Sequence, residues 1–130
     1  MILKSSSIFE NIVLEKKDFF DFIGTRVIVK IDRPKGTKHK GFKYPFNYGY
    51  VLGFSALDGE GADVYILDDE SPNKTKEVLI IGVVFREDDV ECKFVAVSNF
   101  ENDYSVEEIE KMVDFQENRY KTKVYKKAPS

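Results

Sequence analysis

The sequence predicts a small, mainly β (α+β) domain, a barrel of short strands with one C-terminal helix packed against it. Between residues 25 and 97, segments rich in valine, isoleucine and aromatics alternate with turns built from Gly, Pro, Asp and Asn. A single amphipathic stretch follows, opened by Ser105-Val106-Glu107-Glu108, a capping-box pattern. The length of 130 residues, with 42% hydrophobic and 33% charged side chains, suits one domain with a real core over residues 1–130.

Residues 1–24 form an N-terminal arm, in which 1–15 admit either a strand or a loosely docked segment. The aromatic run 18–23 predicts a short turn ending at Gly24. Residues 25–31 alternate charged and β-branched side chains, as a half-buried strand does, and 32–36 end it with turn chemistry around Pro34 and Gly36. A cationic loop leads to a second strand over 48–54, where Gly49 and Gly53 predict a bend or bulge. Residues 63–67 make a compact strand, and the polar stretch 68–76 around Pro72 closes it. The nearly all-apolar run 77–85 is the clearest strand in the chain, and 90–97 form another. In the helix, Ile109, Met112, Val113 and Gln116 share one face and are expected to pack on the sheet. The basic tail from Lys121 through 122–130 is expected to fray.

A net charge of −3 gives the molecule no general attraction for nucleic acid or an anionic membrane. The lone Cys92 rules out an intrachain disulfide and a cysteine-based zinc site, and reads as a packed thiol. No apolar run is long enough to span a bilayer, and the N-terminus lacks a signal core, so a cytoplasmic protein is expected.

The chemistry concentrates in residues 33–63. Asp58, Glu60 and Asp63 are separated by Gly59 and Gly61, which let the backbone turn so that carboxylates converge. Such acids repel one another unless a hard divalent cation sits between them. Upstream lie Arg33, Lys35, Lys38, His39, Lys40 and Lys43, suited to anionic oxygens, and the phenols Tyr44, Tyr48 and Tyr50. If 89–93 are extended, Asp89, Glu91 and Lys93 share a face opposite Val90 and Cys92. Metal-binding acids, phosphate-binding bases and phenol donors in one span make the inventory of metal-assisted phosphate chemistry. Each also has a plainer reading: a solvated acidic hairpin, an edge strand with a wet face, core tyrosines, surface lysines and a surface His39.

Tyr44-Pro45-Phe46-Asn47-Tyr48-Gly49-Tyr50, followed by Asp58-Gly59-Glu60-Gly61-Ala62-Asp63, resembles the signature of the soluble family I inorganic pyrophosphatases. The resemblance continues through Gly82-Val83-Val84, Asp88-Asp89, Glu91-Cys92-Lys93 and Val95-Ala96-Val97 to Tyr120-Lys121, roughly residues 25–121. The lead-in Ile31-Asp32-Arg33-Pro34, Gly36 and Lys38-His39 is similar to a compact bacterial variety. The resemblance implies a five-stranded OB-like barrel with a helix alongside. It also implies Mg²⁺-dependent hydrolysis of inorganic diphosphate to two phosphates, with Mn²⁺ as a possible substitute, and assembly into a homo-oligomer.

By correspondence, Asp58, Glu60, Asp63, Asp88 and Glu91 would hold metal, with Asp89 as an acidic neighbour. Glu60 and Tyr48 would be catalytic, Glu60 accepting the water's proton. Lys38, Tyr44, Tyr48, Lys93, Tyr120 and Lys121 would bind substrate. The chain departs from the family at Glu60 and Glu91, where aspartate is usual, and at Gly61, where proline is usual. On the first strand the family's lysine and glutamate correspond to Ile28 and Lys30, and Lys38 or Lys40 takes the place of an upstream arginine. These departures motivate two alternatives: a non-catalytic relative that binds phosphate compounds or a partner, and an OB-fold nucleic-acid binder using the bases and aromatics of 33–50.

Overall fold

The computed structural model describes residues 12–56, 59–89 and 92–129. Strand β1 (Ile12–Leu14) precedes a short helix α1 (Lys16–Phe19), which runs into a 3-10 turn (Phe20–Phe22) ending at Gly24, as the aromatic run predicts. Strand β2 (Arg26–Arg33) buries Val27, Val29 and Ile31 and leaves the intervening residues outside, the alternation expected of a half-buried strand. It runs past residue 31 to Arg33, because Lys74 O accepts from Ile31 N and Tyr48 still pairs with Arg33.

A hairpin of β3 (Lys38–His39) and β4 (Phe42–Lys43) follows, built from the cationic loop. Its two-residue turn places both Lys40 (φ 51°) and Gly41 (φ 86°) in the left-handed region, the geometry that matches a hairpin's twist. Strand β5 (Asn47–Ala56) shifts register between Tyr50 and Ser55, where the glycine pattern predicts a bend. Gly49 is dictated by close approach: a Cβ there would lie 1.9 Å from the Lys30 carbonyl oxygen of β2. The remaining strands are β6 (Gly61–Ile66), β7 (Thr75–Arg86), β8 (Cys92–Val97) and β9 (Thr122–Tyr125), with α2 (Val106–Glu117) between β8 and β9.

Five strands close on themselves. β5 pairs antiparallel with β2, β2 with β7 and β7 with β8; β8 pairs parallel with β6, and β6 returns antiparallel to β5. This ring is the OB-like barrel that the resemblance implies. β1 adds in parallel to β5, so part of the arm is docked. The expectation of a frayed tail is wrong for Thr122–Tyr125. β9 pairs along Val83–Arg86, the outer half of β7, and Val124 is buried there. A strand as long as β7 outruns its barrel neighbours and leaves a backbone edge that β9 satisfies.

The core has two parts. Val29, Val51, Val64, Val78, Ile80 and Phe94 fill the barrel, with Phe19 of α1 stacked on Phe94 at 4.5 Å. Tyr44, Tyr65, Val84, Val95, Ile109 and Val113 form the layer under α2. Ile109, Val113 and Gln116 are buried as expected, Met112 half-buried, and Glu117 is buried too.

The capping box is complete: Ser105 Oγ accepts from Glu108 N at 3.1 Å, and Glu108 Oε1 accepts from Ser105 N at 2.9 Å. Ser105→Ala should therefore cost about 1 kcal/mol and lower Tm by about 4 °C in a thermal melt; an unchanged Tm would deny the cap any energetic role. Among the described residues no helix is long and apolar enough to cross a membrane.

Candidate active site

A cleft of about 390 Å³ opens where the barrel wall, the β3–β4 hairpin and the end of α2 meet. At its buried end lies Lys93 of β8, only 3% exposed. Its Nζ donates to Tyr48 Oη at 2.6 Å and to Asp63 Oδ2 at 3.0 Å, and Tyr48 Oη donates to the same Asp63 oxygen at 2.8 Å. The closure of the barrel makes this triangle, since β5 carries Tyr48, β6 carries Asp63, and β6 lies against both β5 and β8. Burial, and then the charge and hydrogen bond of Asp63, push the Tyr48 phenol well above its ordinary pKa. It therefore stays a neutral donor at physiological pH.

Arg33, at the end of β2, donates from Nη1 to Tyr44 Oη at 2.8 Å, and Tyr44 Oη donates in turn to Gln116 Oε1 at 2.5 Å. The guanidinium lies over Tyr48 and Tyr44, 5.5 and 5.7 Å from the ring centroids. Burial alone would lower the Arg33 pKa, but the Tyr44 hydrogen bond and the neighbouring phenols outweigh it and hold the group cationic. Asp32 beside it sits above the usual carboxylate range through burial, with the Asp63 charge adding to the effect against the pull of Arg33.

The wall below is a buried ion pair. Arg86 donates from Nε to Glu117 Oε1 at 2.9 Å and from Nη2 to Glu117 Oε2 at 2.8 Å, while Tyr65 Oη donates to Glu117 Oε2 at 2.5 Å. Arg86 also meets Asp89 at 3.4 Å and lies 3.6 Å from the centroid of Tyr120. At the mouth, Arg119 Nη2 donates to the Lys40 carbonyl at 3.1 Å and its guanidinium lies over Phe42 at 4.8 Å, tying the hairpin to the end of α2.

Of the residues anticipated from sequence, the cleft brings together Arg33, His39 and Lys40 of the cationic loop with Tyr48, Glu60, Asp63, Lys93 and Tyr120. Tyr44 is wholly buried one layer behind, holding Arg33. Asp88 is exposed and accepts from Lys121 N at 3.1 Å through both oxygens; neither it nor Lys121 or Lys38 lines the cleft. Asp58 and Glu91 lie outside the described residues. Among the described residues no three His, Cys, Asp or Glu side chains gather as a metal site. Glu60 and Asp63 are nonetheless hard oxygen donors at one cleft, and both bonds made to Asp63 fall on Oδ2. This donor set fits Mg²⁺ rather than a softer ion.

Sequence reasoning passes over Arg86, Gln116 and Arg119 as site residues and has Arg33 only as one base of the cationic loop. Arg33 stands in Ile31-Asp32-Arg33-Pro34 where the strand ends, and Arg86 immediately precedes the second acidic group, so position offers a signal for both. Nothing local separates Gln116 or Arg119 from an ordinary helix end.

Among the described residues Arg33, Lys40, Arg86, Lys93 and Arg119 line the cleft with Glu60 and Asp63; Glu117 and Asp89 meet Arg86 and Asp63 meets Lys93, and the positive charge of Arg33, Lys40 and Arg119 suits a small anion.

The family model described as inorganic pyrophosphatase matches residues 24–126. An inorganic pyrophosphatase of Sulfolobus acidocaldarius is 31% identical over 91 residues, 67% of this chain and 51% of the relative, so the chain spans about half the length of that curated protein. Solved structures of inorganic pyrophosphatases share the fold. The Ehrlichia chaffeensis protein has a TM-score of 0.56 at 16% identity, covering 80% of this chain and 87% of that one. The Coxiella burnetii protein has a TM-score of 0.51 at 22% identity, covering 78% and 83%. The Neisseria gonorrhoeae protein has a TM-score of 0.51 at 18% identity, covering 85% and 83%. With the family model matched from before β2 to the end of β9, this chain belongs to the inorganic pyrophosphatase family.

Proposed function

We propose that the chain hydrolyses inorganic diphosphate to two phosphates in this cleft. The observation that carries the reading is the Lys93–Tyr48–Asp63 triangle, in a cleft that Glu60, Arg33, Lys40 and Arg119 also line. Diphosphate repels an attacking oxygen through its own charge, so catalysis consists mainly of neutralising and positioning it. Lys93 supplies a fixed charge in a water-poor pocket, Tyr48 a neutral phenol, and Arg33 a fork held in place by Tyr44. Tyr120, positioned by Arg86, adds a further hydroxyl.

The attacking water adds its oxygen to one phosphorus and passes a proton to Glu60, its other proton staying on the new phosphate. The bridging P–O bond breaks, and its electron pair leaves on the second phosphate. Glu60 and Asp63, with Asp58 and Glu91 by sequence correspondence, would hold Mg²⁺ or Mn²⁺. When bound, such an ion neutralises oxyanion charge and makes a water more acidic. In the same reading Asp88 binds metal and Lys38 and Lys121 approach the substrate as it fills the site. Cytoplasmic residence and homo-oligomeric assembly belong to the proposal as well, and sedimentation of the purified chain tests the assembly.

Phosphate release from diphosphate, with Mg²⁺, with Mn²⁺ and with EDTA, tests the function. Metal-dependent turnover is the expected result. A folded sample inert with both metals would overturn the reading in favour of a non-catalytic binder. Tyr48→Phe removes one donor while leaving Lys93 and Asp63 paired, and is expected to lower kcat about 10²-fold. A variant with unchanged kcat would take the phenol out of catalysis.

A further inference from the structure

The buried face of α2 ends in two polar side chains, Gln116 and Glu117. Glu117 serves Arg86, whereas Gln116, 7% exposed, reaches the phenols. A buried amide needs partners for its oxygen and for its nitrogen. Gln116 Oε1 accepts from Tyr44 Oη at 2.5 Å, and the same side chain hydrogen-bonds the Tyr48 phenol. The two rings lie side by side, their centroids 5.1 Å apart, with the Arg33 guanidinium over both. Resting on the diphosphatase reading, we infer that Gln116 is a positioning residue: its amide couples Arg33 to Tyr48 and holds the Tyr48 hydroxyl as a donor aimed into the cleft.

The direction of each bond follows from groups that can act in one sense only. A guanidinium only donates, so Tyr44 Oη accepts from Arg33 and turns its own proton to Gln116 Oε1. An amide whose oxygen faces Tyr44 presents its N–H group to Tyr48. At Tyr48 the Lys93 ammonium can only donate and the Asp63 carboxylate can only accept, so the phenol proton lies on the Asp63 side. Two donors, Lys93 and Gln116, then occupy both lone pairs of the Tyr48 oxygen. What remains to the phenol is to donate, to Asp63 or to a phosphate oxygen that enters the cleft.

The chemistry at position 116 is therefore specific. A carboxylate there would accept from both phenols and draw the Tyr48 proton away from the cleft. A thioether would serve neither phenol, and Tyr44 would lose the acceptor that keeps it under Arg33. Either change leaves the side chain's volume nearly intact, so packing is not what distinguishes them from the amide.

Gln116→Glu and Gln116→Met are each expected to lower kcat for Mg²⁺-dependent phosphate release from diphosphate about 10-fold. In a Tyr48→Phe background each should change kcat by less than about 2-fold, because the hydroxyl that the amide aims is already gone. A role confined to the fold would lower kcat by the same factor in both backgrounds. Equal factors, or an unchanged kcat in both single variants, would overturn the inference.

Gln116 is also the only glutamine in the chain, so labelling glutamine side chains with ¹⁵N gives one NH₂ signal, read in EDTA without turnover. Tyr48→Phe should shift that signal, while Tyr104→Phe, before the opposite end of α2, leaves it in place. A signal that ignores Tyr48→Phe would overturn the coupling. A protein whose amide signal responds to Tyr48→Phe, but which cleaves no diphosphate with Mg²⁺ or Mn²⁺, would sink the diphosphatase reading and leave the coupling standing.

Discussion

Asp63→Asn is expected to abolish metal-dependent phosphate release, with turnover falling at least about 10³-fold, in a protein that still folds. Two effects coincide at this residue. The carboxylate is a candidate metal ligand, and an amide oxygen binds a hard cation far more weakly. It is also the counterion of Lys93, which is 3% exposed and donates to Asp63 Oδ2 at 3.0 Å. An uncompensated charge in a buried site costs several kcal/mol. Asp63 itself is 23% exposed at the side chain, which reduces the cost at this site to about 2 kcal/mol. Phosphate release measured well below Tm, together with urea denaturation, separates the two effects. Full activity in the folded variant would place the essential metal site elsewhere.

Glu117→Ala should destabilise the fold more than Ser105→Ala, Tyr48→Phe or Asp63→Asn, at about 4 kcal/mol against a total stability of roughly 5–15 kcal/mol for a domain of this kind. The carboxylate accepts two bonds from Arg86 and one from Tyr65, and both partners in the ion pair have side chains only 2% exposed. Its removal takes away the bidentate partner of a buried guanidinium, which keeps Asp89 at 3.4 Å. Because Arg86 stacks on Tyr120 in the cleft wall, activity should fall as well. A double substitution, Arg86→Met with Glu117→Leu, should lose markedly less than Glu117→Ala, since it leaves no buried charge unpaired. A urea midpoint for Glu117→Ala close to the parent's would show that the pair carries little of the fold's stability.

Much of the architecture is legible in the chain because it depends on local periodicity. Alternation in 25–31 and the apolar run of 77–85 identify strands, and Ser105 with Glu108 marks a helix start whose reciprocal hydrogen bonds are both formed. The tail misleads for the opposite reason. Thr122–Tyr125 has ordinary strand composition, and what orders it is the free edge of β7, about 40 residues earlier in the chain. The hairpin at 38–43 announces itself only through Lys40-Gly41, which composition reads as a charged loop.

The candidate site divides along the same line. Sequence by itself determined the inventory: a phenol at Tyr48, acids at Glu60 and Asp63, a base at Lys93, and their membership in a pyrophosphatase-like order of motifs. Tertiary structure alone decided that Lys93 is buried against Tyr48 and Asp63, and that Arg33 reaches the cleft by way of Tyr44. It also decided that the end of α2 supplies Gln116, Glu117 and Arg119 as partners for residues more than 25 positions away. The physical reason is that residue type sets which interactions a side chain can make. Barrel closure and helix docking set the distances and the exclusion of water that determine how strong those interactions become.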